Sequence, residues 1–266
     1  MTAVAVEQQL VRSHAETRPI PTSRLVLIEL RKMFDTRSGF WLMASIGISA
    51  VVATGAVILF APDKEISYAT FAAAFGFPMA IILPVIAILA VTSEWSQRSG
   101  LSTFTLVPRR GRVIAAKAVA AVSVGALSIP LALAIGAVGN LVGSALAGTE
   151  VVWDISFVNA LTIVLANVLG LLVGFTLGVL LRSSAAAIVT YFVYSLVLPT
   201  LAGLLAASQA WFRDLQPWVD FNFSQSRLFE DGLPAEQWGQ LAVSGTLWLL
   251  LPLAVGLVLT LRSEVK

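Results

Sequence analysis

The chain has 266 residues, 58% of them hydrophobic and only 12% charged, with a net charge of +2 at pH 7. Soluble domains carry about a quarter of their residues as charges, and a water-soluble surface cannot hide so apolar a composition, so the bilayer is the expected solvent. The small, scattered positive excess argues against nucleic acid as a partner, and the absence of cysteine excludes disulfides, thiolate nucleophiles and Cys-bound metals.

Residues 1–21 read as a disordered tail that holds the lone histidine, His14, and ends on Arg18-Pro19-Ile20-Pro21. The first long apolar run starts near Gly39, so no secretory signal peptide is expected. Residues 22–38 form the next unit. Thr22 or Ser23 is placed to cap a helix over Arg24–Thr36. On a helical wheel Val26, Leu27, Leu30, Met33 and Phe34 share one face, while Arg24, Glu29, Arg31, Lys32, Asp35 and Thr36 take the opposite arc, broken by Leu25 and Ile28. A span follows three residues later, which favours an interfacial helix on the membrane surface over an ordinary soluble one.

Residues 39–266 form a six-helix membrane domain. A bilayer core about 30 Å thick needs about 20 apolar helical residues. Six segments meet this: Gly39–Phe60, Phe71–Thr92, Ala118–Ala147, Ile155–Leu181, Ala185–Ala207 and Leu241–Leu261, none containing an acid or a base. Pro84, Pro130, Pro199 and Pro252 lie inside them, and kinks are expected there rather than breaks. Six spans put 14 of the 17 Lys and Arg residues on one side and only Lys64, Arg213 and Arg227 on the other. The basic side is read as cytoplasmic, with both termini there and the chain in the plasma (inner) membrane. The long loop before the sixth span, Ser208 to Gln240, carries Trp211, Phe212, Trp218, Phe221, Phe223, Phe229 and Trp238, which suits short helices dipping into the outer leaflet. Asn222-Phe223-Ser224 has the form of a glycosylation sequon.

The spans offer no titratable cluster, and the chain has no HExxH, GxSxG or GxxxxGK[ST] motif. An intramembrane enzyme is therefore disfavoured. Ion-coupled carriers keep a buried charge at mid-membrane, and none is visible here. Energy for uphill transport would then come from another subunit. Gly170, Gly174 and Gly178, with Gly136, Gly139 and Gly143, line close-packing faces that suit contacts within the chain or between copies. Asn140 and Asn167 are polar residues that could bond across helices or line a substrate path.

Two stretches carry a resemblance. Glu29-Leu30-Arg31-Lys32-Met33-Phe34-Asp35-Thr36-Arg37-Ser38 is similar to an "ELRKL-x-T-x-R" start. Thr92-Ser93-Glu94-Trp95 with Arg98-Ser99-Gly100, then Pro108-Arg109-Arg110-Gly111-Arg112 and Lys117, resembles "GE-(Y/W)-x-x-G-T…P-x-x-R-x-x-x-x-x-K". Ser93 stands where Gly is frequent, and Leu101 follows Gly100 where Thr is usual. Together with the span order, these stretches resemble the permease subunits of ABC-2 type transporters, the type V exporter fold. The resemblance implies an all-α membrane protein in which the loop between spans 2 and 3 holds a cytoplasmic coupling helix. Glu94, Trp95, Arg98, Thr103, Phe104, Arg109 and Arg110 would contact a separate ATPase there. It further implies that two ATPase copies bind ATP and Mg, that this chain holds no cofactor, and that a second permease copy or a paralogue completes the path. For Arg109, Arg110 and Arg112, orientation and binding to anionic lipid is an equally good reading. The alternative function is a non-transporting anchor or sensor moved by a partner ATPase.

Overall fold

The computed structural model describes residues 21–35, 37–96 and 110–262, without the side chains of Ser38, Glu94, Ser96 and Arg110. The tail over 1–20, the coupling helix and residues Arg98, Thr103, Phe104 and Arg109 lie outside the described residues. Among the described residues there is no β-strand.

Helix α1 (Thr22–Asp35) precedes span 1, α2 (Arg37–Phe60). Span 2 is α3 (Tyr68–Ser96), span 3 is α4 (Arg110–Ala147) and span 4 is α5 (Phe157–Leu181). Span 5 joins α6 (Ser184–Phe192) to α7 (Leu198–Ser208) through a π-helical turn, Val193–Val197. Two short helices follow, α8 (Ala210–Val219) and α9 (Phe221–Ser226). Span 6 joins α10 (Ala235–Gly245) to α11 (Leu251–Arg262) through a second π-turn, Thr246–Leu250. All six spans are long and apolar enough to cross a membrane, which supports a multi-pass membrane protein. Span 6 starts at Ala235, earlier than the charge-free window beginning at Leu241. At 38 residues α4 is about 57 Å long, nearly twice the hydrocarbon thickness, so it must tilt or project.

Span 4 is the hub and packs on spans 2, 3, 5 and 6. Its glycines explain how. A Cβ on Gly174 would fall 2.6 Å from the Pro84 carbonyl oxygen, and one on Gly178 would fall 2.6 Å from Val91 Cγ1. Backbone meets backbone here, and any side chain would push spans 2 and 4 apart. Gly136, Gly139 and Gly143 receive Phe71 and its neighbours in the same way. Both glycine faces are thus used inside the chain. The core of spans 1–4 contains Ile46, Phe71, Met79, Val124, Leu171 and Phe175.

Proline leaves its mark on spans 2, 5 and 6. Leu198 N–H bonds to the Val193 carbonyl five residues back. The Tyr194 carbonyl would next be served by residue 199, which is Pro199 and has no N–H. Span 6 repeats the pattern: Leu251 N–H reaches the Thr246 carbonyl, and Pro252 follows. In span 2 Pro84 frees the Ala80 carbonyl, which accepts the Tyr191 hydroxyl of span 5 at 2.6 Å.

Candidate functional site

Helix α1 begins where the chain leaves Pro21, whose carbonyl accepts the N–H groups of Arg24 and Leu25. The Thr22 hydroxyl accepts from Arg112 Nη2 at 3.2 Å, and so joins α1 to α4. The contacts between α1 and α4 climb both helices in the same order. Thr22 meets Arg112, Leu25 packs with Val113 and Ala116, and Glu29 meets Lys117. The first turns of α4 therefore run alongside α1 in the same sense.

This docking adds a protein-facing side to the expected wheel. The face turned into the protein is Leu25, Glu29 and Met33, flanked by partly buried Val26 and Leu30. Leu25 is not an interruption of a polar face, and Glu29 is not on the solvent arc, because α4 covers both. Leu27 and Phe34, expected on the main apolar face, are 66% and 50% exposed.

The centre of this junction is ionic. Lys117 is 2% exposed and donates to Glu29 Oε2 at 2.6 Å and to the Ala90 carbonyl of span 2 at 3.1 Å. Glu29 Oε1 accepts from Lys32 at 2.7 Å. A buried charge is tolerated only when paired and hydrogen-bonded, and here two cations and one carboxylate supply both. Close by in sequence, the fully buried Thr92 bonds the Ser184 hydroxyl at 2.7 Å and donates to the Ile88 carbonyl. Thus the last turns of span 2 are tied to span 3, to α1 and to the start of span 5. Trp95 packs against the core of spans 1–4. Glu94 and Arg110 sit on the helical ends bordering residues 97–109. Sequence reasoning noted Glu29 and Lys117 only as members of separate stretches. Their pairing, 88 residues apart, leaves no local signal.

The proposed path residues separate. The Nδ2 of Asn140 donates to the Val152 carbonyl at 2.9 Å and pins the span 3–4 loop, so this residue acts as a cross-link. Asn167 donates to the Ile163 carbonyl one turn back and lines a small, mostly apolar crevice with Phe75, Met79, Ile129, Leu133 and Phe229.

At the other end, α8 and α9 form a cap. Gln225 Nε2 donates to the Ala166 carbonyl at 2.7 Å, nine residues or about 13 Å along span 4. The cap therefore packs alongside span 4. The Asn222 amide donates at 3.0 Å to the Tyr194 carbonyl that Pro199 leaves unserved. Trp248 Nε1 donates to the Val219 carbonyl at 2.7 Å, and its ring lies 5.5 Å from that of Tyr194. The two π-turns face each other under the cap. Asn222 is committed to this bond, and Ser224 is buried with its hydroxyl on the Pro217 carbonyl, so the sequon is part of the packing. Among the described residues no group of three or more His, Cys, Asp or Glu is placed to hold a metal. No protein-family model and no curated protein matches this chain, so its functional reading rests on its own residues.

Proposed function

We propose that this chain is the permease subunit of an ATP-driven exporter of the ABC-2 type. The observation that carries the reading is the Glu29–Lys117 ion pair. It joins the two stretches on which the resemblance rests, at the borders of the loop over 97–109. An ATPase seated on that loop would pull on the ends of spans 2 and 3. The Lys117 bonds to Ala90 and Glu29 would pass the displacement to span 2 and to α1, and Thr92–Ser184 would pass it to span 5. Spans 2 and 4 meet backbone to backbone at Gly174, so they would respond as one body.

In this reading the basic side is cytoplasmic, and the segregation of Lys and Arg supports it. ATP and Mg are held by the partner, and the chain contributes no acid, base or nucleophile to hydrolysis. A second permease copy or a paralogue lies across the path. The test is reconstitution. The purified chain is expected to carry an ATPase subunit with it and to alter that subunit's rate of ATP hydrolysis. Active transport by the chain alone, without ATP, would overturn the proposal.

A further inference from the structure

The docking of α1 leaves a second pattern free. Leu27 and Phe34 are seven residues apart and exposed, and they form a stripe along α1. Arg24 and Arg31 are also seven residues apart and exposed. Arg24 lies three residues before Leu27, Arg31 four after it, and Phe34 three after Arg31. Residues at these separations are neighbours on a helix surface, so an apolar stripe and a cationic stripe run side by side. The other exposed charges on and just beyond the helix are Lys32, which is bonded to Glu29, Asp35 and Arg37, and the exposed surface keeps a positive balance.

The level of the stripe is fixed by the ion pair. Lys117 is the last charge before the apolar stretch of span 3, which begins at Ala118. Its bond to Glu29 holds the middle of α1 level with that charge. Phe34 lies five residues further on, about 7 Å nearer the start of span 1.

We infer that this edge of α1 is a binding site for anionic phospholipid. Leu27 and Phe34 enter the outer part of the acyl layer, and Arg24 and Arg31 take the phosphates. An apolar flank alone would accept any lipid. The arginines select for negative charge, since each basic residue near an anionic surface contributes about 1 kcal/mol, about fivefold in binding. The inference rests on the membrane orientation proposed above and not on the ATPase.

The chain is purified from membranes containing phosphatidylglycerol and phosphatidylcholine, and retained lipid is counted by mass spectrometry. Phosphatidylglycerol should be enriched on the natural chain and displaced by salt. The R24Q/R31Q variant should lose this enrichment, about fivefold for each arginine. L27S/F34S should lower retention of both lipids. A photoreactive side chain at position 34 should cross-link to lipid. Unchanged lipid ratios in a monodisperse R24Q/R31Q variant would overturn the inference, as would cross-linking at 34 to a second copy or to another protein. Orientation is read separately. The chain has no cysteine, so one introduced at Arg24 reports its side by labelling. Labelling from outside would refute the orientation without touching the lipid measurements.

Discussion

The two ends of the bundle are held together by different chemistry. At the α1 end, a carboxylate and two ammonium groups lock three helices, with Lys117 and Glu29 out of solvent. At the cap end, the clamps are mostly neutral: Asn222, Gln225 and Trp248 each donate to one backbone carbonyl. A buried ion pair is an all-or-nothing fastening, because losing one partner strands a charge. Neutral bonds are each worth about 1 kcal/mol and can be exchanged singly. The α1 end is therefore a fastening that holds or fails as a whole. The cap end can release in steps, and the π-turns beneath it lie where the α-helical ladder is already interrupted.

The largest effect should come from Lys117→Ala. It leaves the Glu29 carboxylate with only Lys32, whose side chain is about half exposed. Removing one member of a buried pair costs about 3–5 kcal/mol, and unfolding in detergent should show it. Replacing both members, Glu29→Leu with Lys117→Met, should recover most of that loss, because apolar groups of similar volume need no partner. A double variant as unstable as the single one would show that the pair does not hold the junction.

The cap tests the neutral side of the contrast. Asn222→Ala should cost about 1–3 kcal/mol, since it leaves the Tyr194 carbonyl unserved in an apolar setting. Pro199→Ala restores an N–H to span 5. In that background Asn222→Ala should cost markedly less, and the double-mutant cycle measures the difference. Full additivity would mean that Pro199 does not create the need for Asn222. Tyr191→Phe, measured with and without Pro84→Ala, repeats the test at the Ala80 carbonyl. Trp248→Phe keeps a ring against Tyr194 but loses the bond to Val219, so a smaller loss of about 0.5–1.5 kcal/mol is expected.

The comparison also separates what could be read in the sequence from what could not. Six spans were legible because bilayer thickness imposes a length that local composition reveals. Short helices before span 6 were expected from the aromatic loop, and α8 and α9 are there. The protein-facing side of α1 was not legible, for a clear reason. A helical wheel sorts residues by polarity, but burial here follows the position of α4, and Lys117 makes it favourable to bury Glu29. The triplet at Asn222 gave no hint that its amide serves a carbonyl freed by a proline 23 residues earlier. The crevice at Asn167 has no local signature, since spans 2, 3 and 4 each bring part of its lining.

The smallest expected effect sharpens the contrast most, because it lies on the same carboxylate as the largest. Lys32 and Lys117 approach the two oxygens of Glu29 at nearly equal distances, 2.7 and 2.6 Å. Distance alone would make them equivalent. Burial does not: the Lys32 side chain is 48% exposed and that of Lys117 is 3% exposed. Water and salt screen the first pair, and an exposed i,i+3 pair contributes only about 0.5 kcal/mol or less. Lys32→Gln should therefore leave the unfolding midpoint nearly unchanged at moderate salt, while Lys117→Gln lowers it strongly. Equal losses from the two substitutions would show that Glu29 is held by the sum of its cations. Unequal losses would show that the junction depends on one buried contact, the contact that also reaches span 2 through the Ala90 carbonyl.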